Sequence, residues 1–272
     1  AKRVCYWNGY ADNNIDAVFC CNYNTNDTSK QVFSCEVQNI AQEGEFLKLR
    51  HEHKIYINHF DYITIRSRLK AVIPQDSHAD QTGEYKIRSL YFDDYEDCAL
   101  QEKLDGTDSR KKYRIRSYNY KDTGVKLECK RKEGLYVQKS VLNVSRAECD
   151  ALINGNFGFL LSRSEPFAHE MYAVFRTRNL KPRVIVEYYR EAYVFPIEDV
   201  RVTFDQNIRT AFRATALFDP ALPTYPVLDE YGMVLEIKFN KYLPGHIRSL
   251  VQPVQNAQRS AISKYCLCRK YE

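Results

Sequence analysis

In one predicted strand after another, charged residues recur at every second position. "LRHEHKIYI" sets Arg50, Glu52 and Lys54 two apart, and "KYRIRSYNY" does the same with Arg114 and Arg116. "LECK" pairs Glu128 with Lys130, and "LEIK" pairs Glu236 with Lys238. Side chains alternate across a strand, so each set shares one face, and Ile115, Cys129 and Ile237 point the other way. For a single strand this is the ordinary pattern of a half-buried sheet with one wet face. Repeated through a chain with enough helices to cover an apolar outer face, it constrains the fold harder. A sheet closed on itself would gather the charges inside, where they make a poor core but a good receptacle for a polyanion with metal ions. Arginine forks match phosphate oxygens, lysines supply point charges, and carboxylates hold a hard divalent cation.

The order of elements supports such a sheet. A strand over 45–58 leads into a helix through "HFDYITIRSRLKAVI", which stops near Pro74. "EYKIRSLYFDD" reads as a strand and "YEDCALQEKLDG" as a short helix ending on Gly106. "RKKYRIRSYNY" and "VKLECKRKEG" form a hairpin about "KDTG", and "VQKSVLNVS" continues the sheet. Helices follow in "SRAECDALINGN" and "EPFAHEMYAVFRTRN". Strands then resume in "RVIVEYYREAYV", "VRVTFDQNIR" and "MVLEIKFNKYL", and the remainder reads as helical. The expected class is α+β, with many antiparallel strands.

Residues 1–44 read differently. They are rich in Asn and Asp, carry four of the nine cysteines, and follow neither strand nor helix periodicity. They are expected to be an atypical or non-native appendage, with the folded domain over 45–272. An odd cysteine count without zinc-finger spacing or a secretory signal argues for reduced, structural thiols in a cytoplasmic setting. No apolar run approaches the ~20 residues of a membrane span, so any membrane attachment would come through another chain. The net charge of +5 suits an anionic ligand, but basic and acidic residues are mixed rather than blocked, which argues against nucleic acid. No HExxH, no P-loop and no Ser-His-Asp arrangement is present.

Taken in order, "RHEHKIYIN", "IRSLYFDD", "YRIRSYN", "KLECKRKEG" with "QKS", "VEYYREAYV", "VRVTFDQNIR", "VLEIKFNKYLP" and "AISKY" resemble the VTC-type polyphosphate polymerase domain. That domain belongs to the triphosphate tunnel metalloenzymes, relatives of the CYTH phosphatases and cyclases. The resemblance covers about residues 46–270 and implies a closed antiparallel β-barrel with surrounding helices, a C-terminal helix near the tunnel mouth and charged residues pointing inward.

It also assigns roles by position. Lys54 matches the tunnel lysine of the first strand, although Arg50 stands where CYTH relatives place the first glutamate of E-x-E-x-K. Arg114 and Arg116 match the triphosphate-gripping pair, Lys130 and Lys139 two phosphate-binding lysines, and Tyr188 and Arg190 contacts to nucleotide or phosphate. Glu236 matches a metal-ligating glutamate. Ser263 and Lys264 match a serine and lysine of the terminal helix, with Ala261 where the family often has another lysine. Lys264, Arg114, Arg116 and Lys130 are thereby implied in catalysis, and Lys54, Lys139, Tyr188, Arg190 and Ser263 in binding.

The implied activity is ATP-dependent polyphosphate synthesis with Mn²⁺ or Mg²⁺ at Glu236. ATP and polyphosphate are the partners, and a membrane-protein partner for product export is a further expectation. Hydrolysis of triphosphate or tripolyphosphate is the second reading, and a non-catalytic module binding polyphosphate or inositol phosphates the third. Asp205 and Glu128 are expected to support lysines rather than ligate metal. Arg88 and Arg201 read equally well as exposed or tunnel-lining. Arg131 and Lys132 are expected at a solvated hairpin end, and His51 and His53 facing outward.

Overall fold

The computed structural model describes residues 50–270, apart from 80–81, 135, 230–231 and 254–259. The expectations for residues 1–44, and for a strand beginning at 45, lie outside the described residues. Among the described residues nine strands form a single sheet: β1 (His51–Ile57), β2 (Glu84–Asp93), β3 (Arg110–Tyr118), β4 (Val125–Glu133), β5 (Tyr136–Val144), β6 (Lys181–Phe195), β7 (Val200–Phe212), β8 (Tyr225–Pro226) and β9 (Met233–Phe239). Their order is β1-β9-β7-β6-β2-β3-β4-β5, with β8 on β7, and every pairing is antiparallel.

The helices are α1 (His59–Lys70), α2 (Cys98–Leu104), α3 (Arg146–Ile153), α4 (Pro166–Thr177), α5 (Gly245–Leu250) and α6 (Lys264–Cys268). Their starts are written locally. Asn58 accepts from the Asp61 amide at the head of α1, Ser145 and Glu148 form a reciprocal capping box on α3, and Pro166 opens α4.

The apolar strand positions bind the helices to the convex face. Cys149 and Leu152 of α3 and Met171 and Phe175 of α4 pack on Phe92, Tyr113, Ile115, Leu127 and Leu142. Tyr62, Ile65 and Leu69 of α1, with Ile247 of α5, cover Ile55, Val202, Phe204, Leu235 and Ile237. Each fully buried side chain of this kind contributes about 1.5–3 kcal/mol. A third cluster fills part of the concave face, where Ile262, Tyr265 and Cys268 meet Tyr85, Tyr91, Tyr188 and Val234. Tyr265 stacks on Tyr91 at 4.9 Å and donates its hydroxyl to Asp93 at 2.6 Å, which seats α6 inside the curl.

The expected closed barrel is not what forms. The sheet curls into an open half-barrel in which, among the described residues, the edge strands β1 and β5 do not pair with each other. The free edge of β1 is taken by a returning segment, with Ser260 N donating to the Lys54 carbonyl at 3.0 Å. Across the gap, side chains take over, with Lys130 of β4 reaching Glu52 of β1 at 2.7 Å. The described cysteines, Cys98, Cys129, Cys149, Cys266 and Cys268, are free thiols. No helix among the described residues is long and apolar enough to cross a membrane.

Candidate functional site

Strand register sets the inner face. Lys54 lies opposite Glu236 and Glu52 opposite Lys238 between β1 and β9. Arg190 faces Asp205 between β6 and β7, and Arg114 faces Tyr91 on β2 and Glu128 on β4. Lys130 lies between Lys112 on β3 and Lys139 on β5. These rows enclose a cavity of about 450 Å³. Lys54, Arg114, Arg116, Lys130, Tyr188, Arg190, Glu236, Ser263 and Lys264 all line it. Lys139 is the one residue of the expected set that is not on the wall; its ammonium reaches Glu128 at 2.5 Å.

Buried carboxylates hold the cations in place. Asp205 takes both Arg190 nitrogens, at 2.6 and 2.8 Å, and Lys264 at 2.5 Å. Glu128 takes Arg114 at 2.7 Å along with Lys139 and lies 4.0 Å from Arg116. Both acids therefore support cations, as their sequence context suggested. Arg114 also donates to the Tyr91 hydroxyl at 2.8 Å and Arg116 to that of Tyr188 at 3.3 Å, so neither arginine faces bulk water.

Glu236 pairs with Lys238, and lies 3.8 Å from Lys54 and 4.0 Å from Lys264. Glu52 is 3.3 Å from Lys54 and 3.8 Å from Lys238. The two glutamates thus share the same two ammoniums and lie side by side. No group of three or more His, Cys, Asp or Glu fit to hold a metal occurs among the described residues. One or two carboxylates are nevertheless what magnesium-like ions use when substrate phosphates complete the shell. Glu236 with Glu52 fits that mode.

Charge crowding sets the protonation. Glu236 is held well below the usual carboxylate range: burial opposes this, but Lys238, Lys54 and Lys264 outweigh it. Lys54 is pushed up to about 12 because Glu236 and Glu52 overcome its burial. Burial lowers Lys130 to about 8, with Glu52 opposing and Lys54 and Lys238 assisting. Burial likewise lowers Lys112 to about 7, opposed by the Cys266 thiol and assisted by Lys54, Lys103 and Lys130. An unfolded lysine titrates near ~10.4, so from about pH 7 upward the unfolded chain binds more protons at these two positions. The empty protein should therefore gain stability between about pH 7 and 8.5. Above that, burial of Cys129, Cys149 and Cys268, which holds their thiols at about 11, 12 and 12, reverses the trend. Urea titrations at pH 6.5, 7.5 and 8.5 check this, and a flat or falling series contradicts it.

Several wall residues escaped the sequence reading. Lys112 continues the alternation of Arg114 and Arg116 one step back and was visible in principle. Lys103, on α2, carries no such signal. Lys132 does lie at the β4–β5 hairpin end, where its ammonium donates to the Gly134 carbonyl, but it lines the cavity rather than facing bulk solvent, because it shares the inner face with Lys130. Arg131 points to the convex side and pairs with Glu170 of α4. Arg88 is neither exposed nor lining. It is buried on the convex side, bound to Glu187 at 2.6 Å and to the carbonyls of Ala216 and Asp219. Arg201 stands off the cavity wall, held by Asp76 at 2.5 Å and the Tyr85 hydroxyl at 2.9 Å. His51 and His53 both pack on Phe239, with ring centroids 5.0 Å apart.

A family model described as the VTC domain matches residues 49–271. No curated protein matches the chain. Among solved structures, "Structure of PH1819 protein from Pyrococcus Horikoshii OT3" is similar at 13% identity and TM-score 0.41, covering 82% of this chain and 99% of that one. "Putative adenylyl cyclase HpAC1 from Hippeastrum reveals a dominant triphophatase activity" is similar at 14% identity and TM-score 0.46, covering 82% and 97%. "Crystal structure of a putative adenylate cyclase (bh2851) from bacillus halodurans" is similar at 12% identity and TM-score 0.43, covering 77% and 93%. The family match spans most of the chain and every strand that builds the cavity, and the chain belongs to the VTC domain family.

Proposed function

We propose that the chain is a polyphosphate polymerase that transfers the γ-phosphoryl group of ATP to the end of a polyphosphate chain. The observation that carries this is the imbalance of the cavity wall, where twelve lysines and arginines face two glutamates, Glu52 and Glu236. Such a surface holds a polyanion by charge and aligns it by the arginine forks. Arg114, Arg116, Lys54, Lys130 and Arg190 bind the triphosphate, and Lys264 stands between Asp205 and Glu236 at the same wall.

The terminal oxygen of the acceptor chain is already ionised, so its attack on the γ-phosphorus needs no strong general base. The new P–O bond forms as the bond to the β–γ bridging oxygen breaks, and ADP leaves with that electron pair. Fixed cations oppose the charge spread over the equatorial oxygens, and positioning supplies most of the acceleration. Glu236, with Glu52 beside it, would hold a manganese or magnesium ion, which would supply Lewis-acid stabilisation when bound. Delivery of product to a membrane-protein partner belongs to the same reading.

Purified protein incubated with ATP and Mn²⁺ should yield a ladder of long chains on a polyphosphate gel, with ADP released in step. Free phosphate without a ladder would replace this reading by triphosphate hydrolysis. Neither product, with tight polyphosphate binding, would leave a binding module.

A further inference from the structure

Lys112 differs from its neighbours in what surrounds it. Lys54, Lys130, Lys238 and Lys264 each reach a carboxylate within 4.0 Å. Lys112 does not pair with a carboxylate among the described residues; its ammonium donates instead to Ser263 Oγ at 2.8 Å and lies 5.5 Å from the centre of the Tyr265 ring. The groups facing it are Lys103 from α2, Lys54 from β1, Lys130 from β4 and the thiol of Cys266 from α6. Arg110 and Arg114 flank it on its own strand. Positive charge therefore surrounds Lys112 on several sides, and the cavity is where a compensating anion can enter.

Ser263 is the other half of this contact. Its oxygen accepts from Lys112 and also from the Cys266 amide at 3.4 Å, which caps α6. A hydroxyl has two acceptor lone pairs and one O–H, so with both lone pairs engaged Ser263 can only donate. An ammonium has three donors, of which Lys112 has given one to Ser263. We propose that Lys112 is a further phosphate-binding residue, forming with Ser263 an all-donor subsite for a phosphate oxygen of the polyphosphate chain. This rests on the polyanion reading above and extends it to a position carried by β3 and α6.

A subsite of this kind couples anion binding to proton uptake. Burial and like charges keep part of the Lys112 population neutral in the empty cavity, and an arriving phosphate restores the favourable charged form. Lys130 contributes in the same sense, so the Lys112 share must be read by difference.

The test is calorimetric titration of the whole chain with inorganic tripolyphosphate at pH 8, in two buffers of different ionisation enthalpy. The wild type should bind with net proton uptake. Lys112→Met should bind about tenfold more weakly or worse and take up most of one proton fewer. Lys112→Arg keeps a charge and a fork of donors, so it should bind within about threefold of the wild type while still losing that uptake. Unchanged affinity and uptake in Lys112→Met would overturn the subsite. If that variant fails to fold, wild-type uptake in Lys112→Arg does the same. A wild type that does not bind tripolyphosphate would instead overturn the polyanion reading on which the subsite stands.

Discussion

Glu236→Gln is expected to cut turnover about a hundredfold or more while the protein still holds tripolyphosphate. The substitution keeps the shape of the side chain and removes its charge, in a place where three ammoniums converge. Lys238 loses the nearer of its two carboxylates, with Glu52 left at 3.8 Å, and Lys54 and Lys264 lose an anion at 3.8 and 4.0 Å. Anion binding should survive or tighten, because the wall becomes more positive. Metal retention should fall, because a magnesium-like ion bound mainly by phosphates depends on the one or two carboxylates the protein supplies. A loss of several kcal/mol of transition-state stabilisation corresponds to roughly two or more powers of ten in rate. Steady-state kinetics paired with Mn²⁺ binding, measured in the presence of tripolyphosphate, separates the two effects. Full activity with unchanged metal affinity would remove Glu236 from the metal site.

The largest stability effect is expected at Asp205, which is fully buried and bound to Arg190 and Lys264. Arg190 is itself buried, and its charged form is favoured because Asp205 outweighs the cost of burial. Asp205→Asn leaves both cations without their shared anion, and breaking a buried pair in this way costs about 3–5 kcal/mol. For a domain of this size that lowers Tm by on the order of 10 °C. Tripolyphosphate should return part of the loss, since a ligand that binds only the folded protein stabilises it and here also supplies negative charge. Thermal unfolding with and without tripolyphosphate reads both parts. A Tm within a degree of the wild type would mean that Asp205 does not hold this wall together.

The charge alternation carried a good deal of this site. Residues such as Arg114 and Arg116 share a face whatever the tertiary fold, so once one of them is inside, the other follows. What alternation cannot give is which face is inside for a strand with ionisable residues on both. Arg88 and Lys86 sit on the convex side of β2, and the neighbouring loop carbonyls, Glu187 and the Tyr120 ring account for the burial of Arg88. The same ambiguity misassigned Lys132, where a run of three basic residues, Lys130 to Lys132, splits between the two faces.

Closure was illegible for a different reason. The edge of β1 is taken by Ser260, from about two hundred residues away, and no local period encodes that. Lys103 was missed because it reaches the wall from a helix, outside any strand pattern.

The gap between β1 and β5 has a topological consequence. A ring closed by backbone ladders can be entered by a linear polymer only at an end. Among the described residues that ladder is missing here, and the opening is latched instead by Lys130 of β4 against Glu52, beside the Ser260 amide on the edge of β1. The latch is an ion pair, and a phosphate oxygen is a direct competitor for its lysine. That part of the wall is thus held by charge rather than by a backbone ladder, and its grip weakens with ionic strength as no ladder's does.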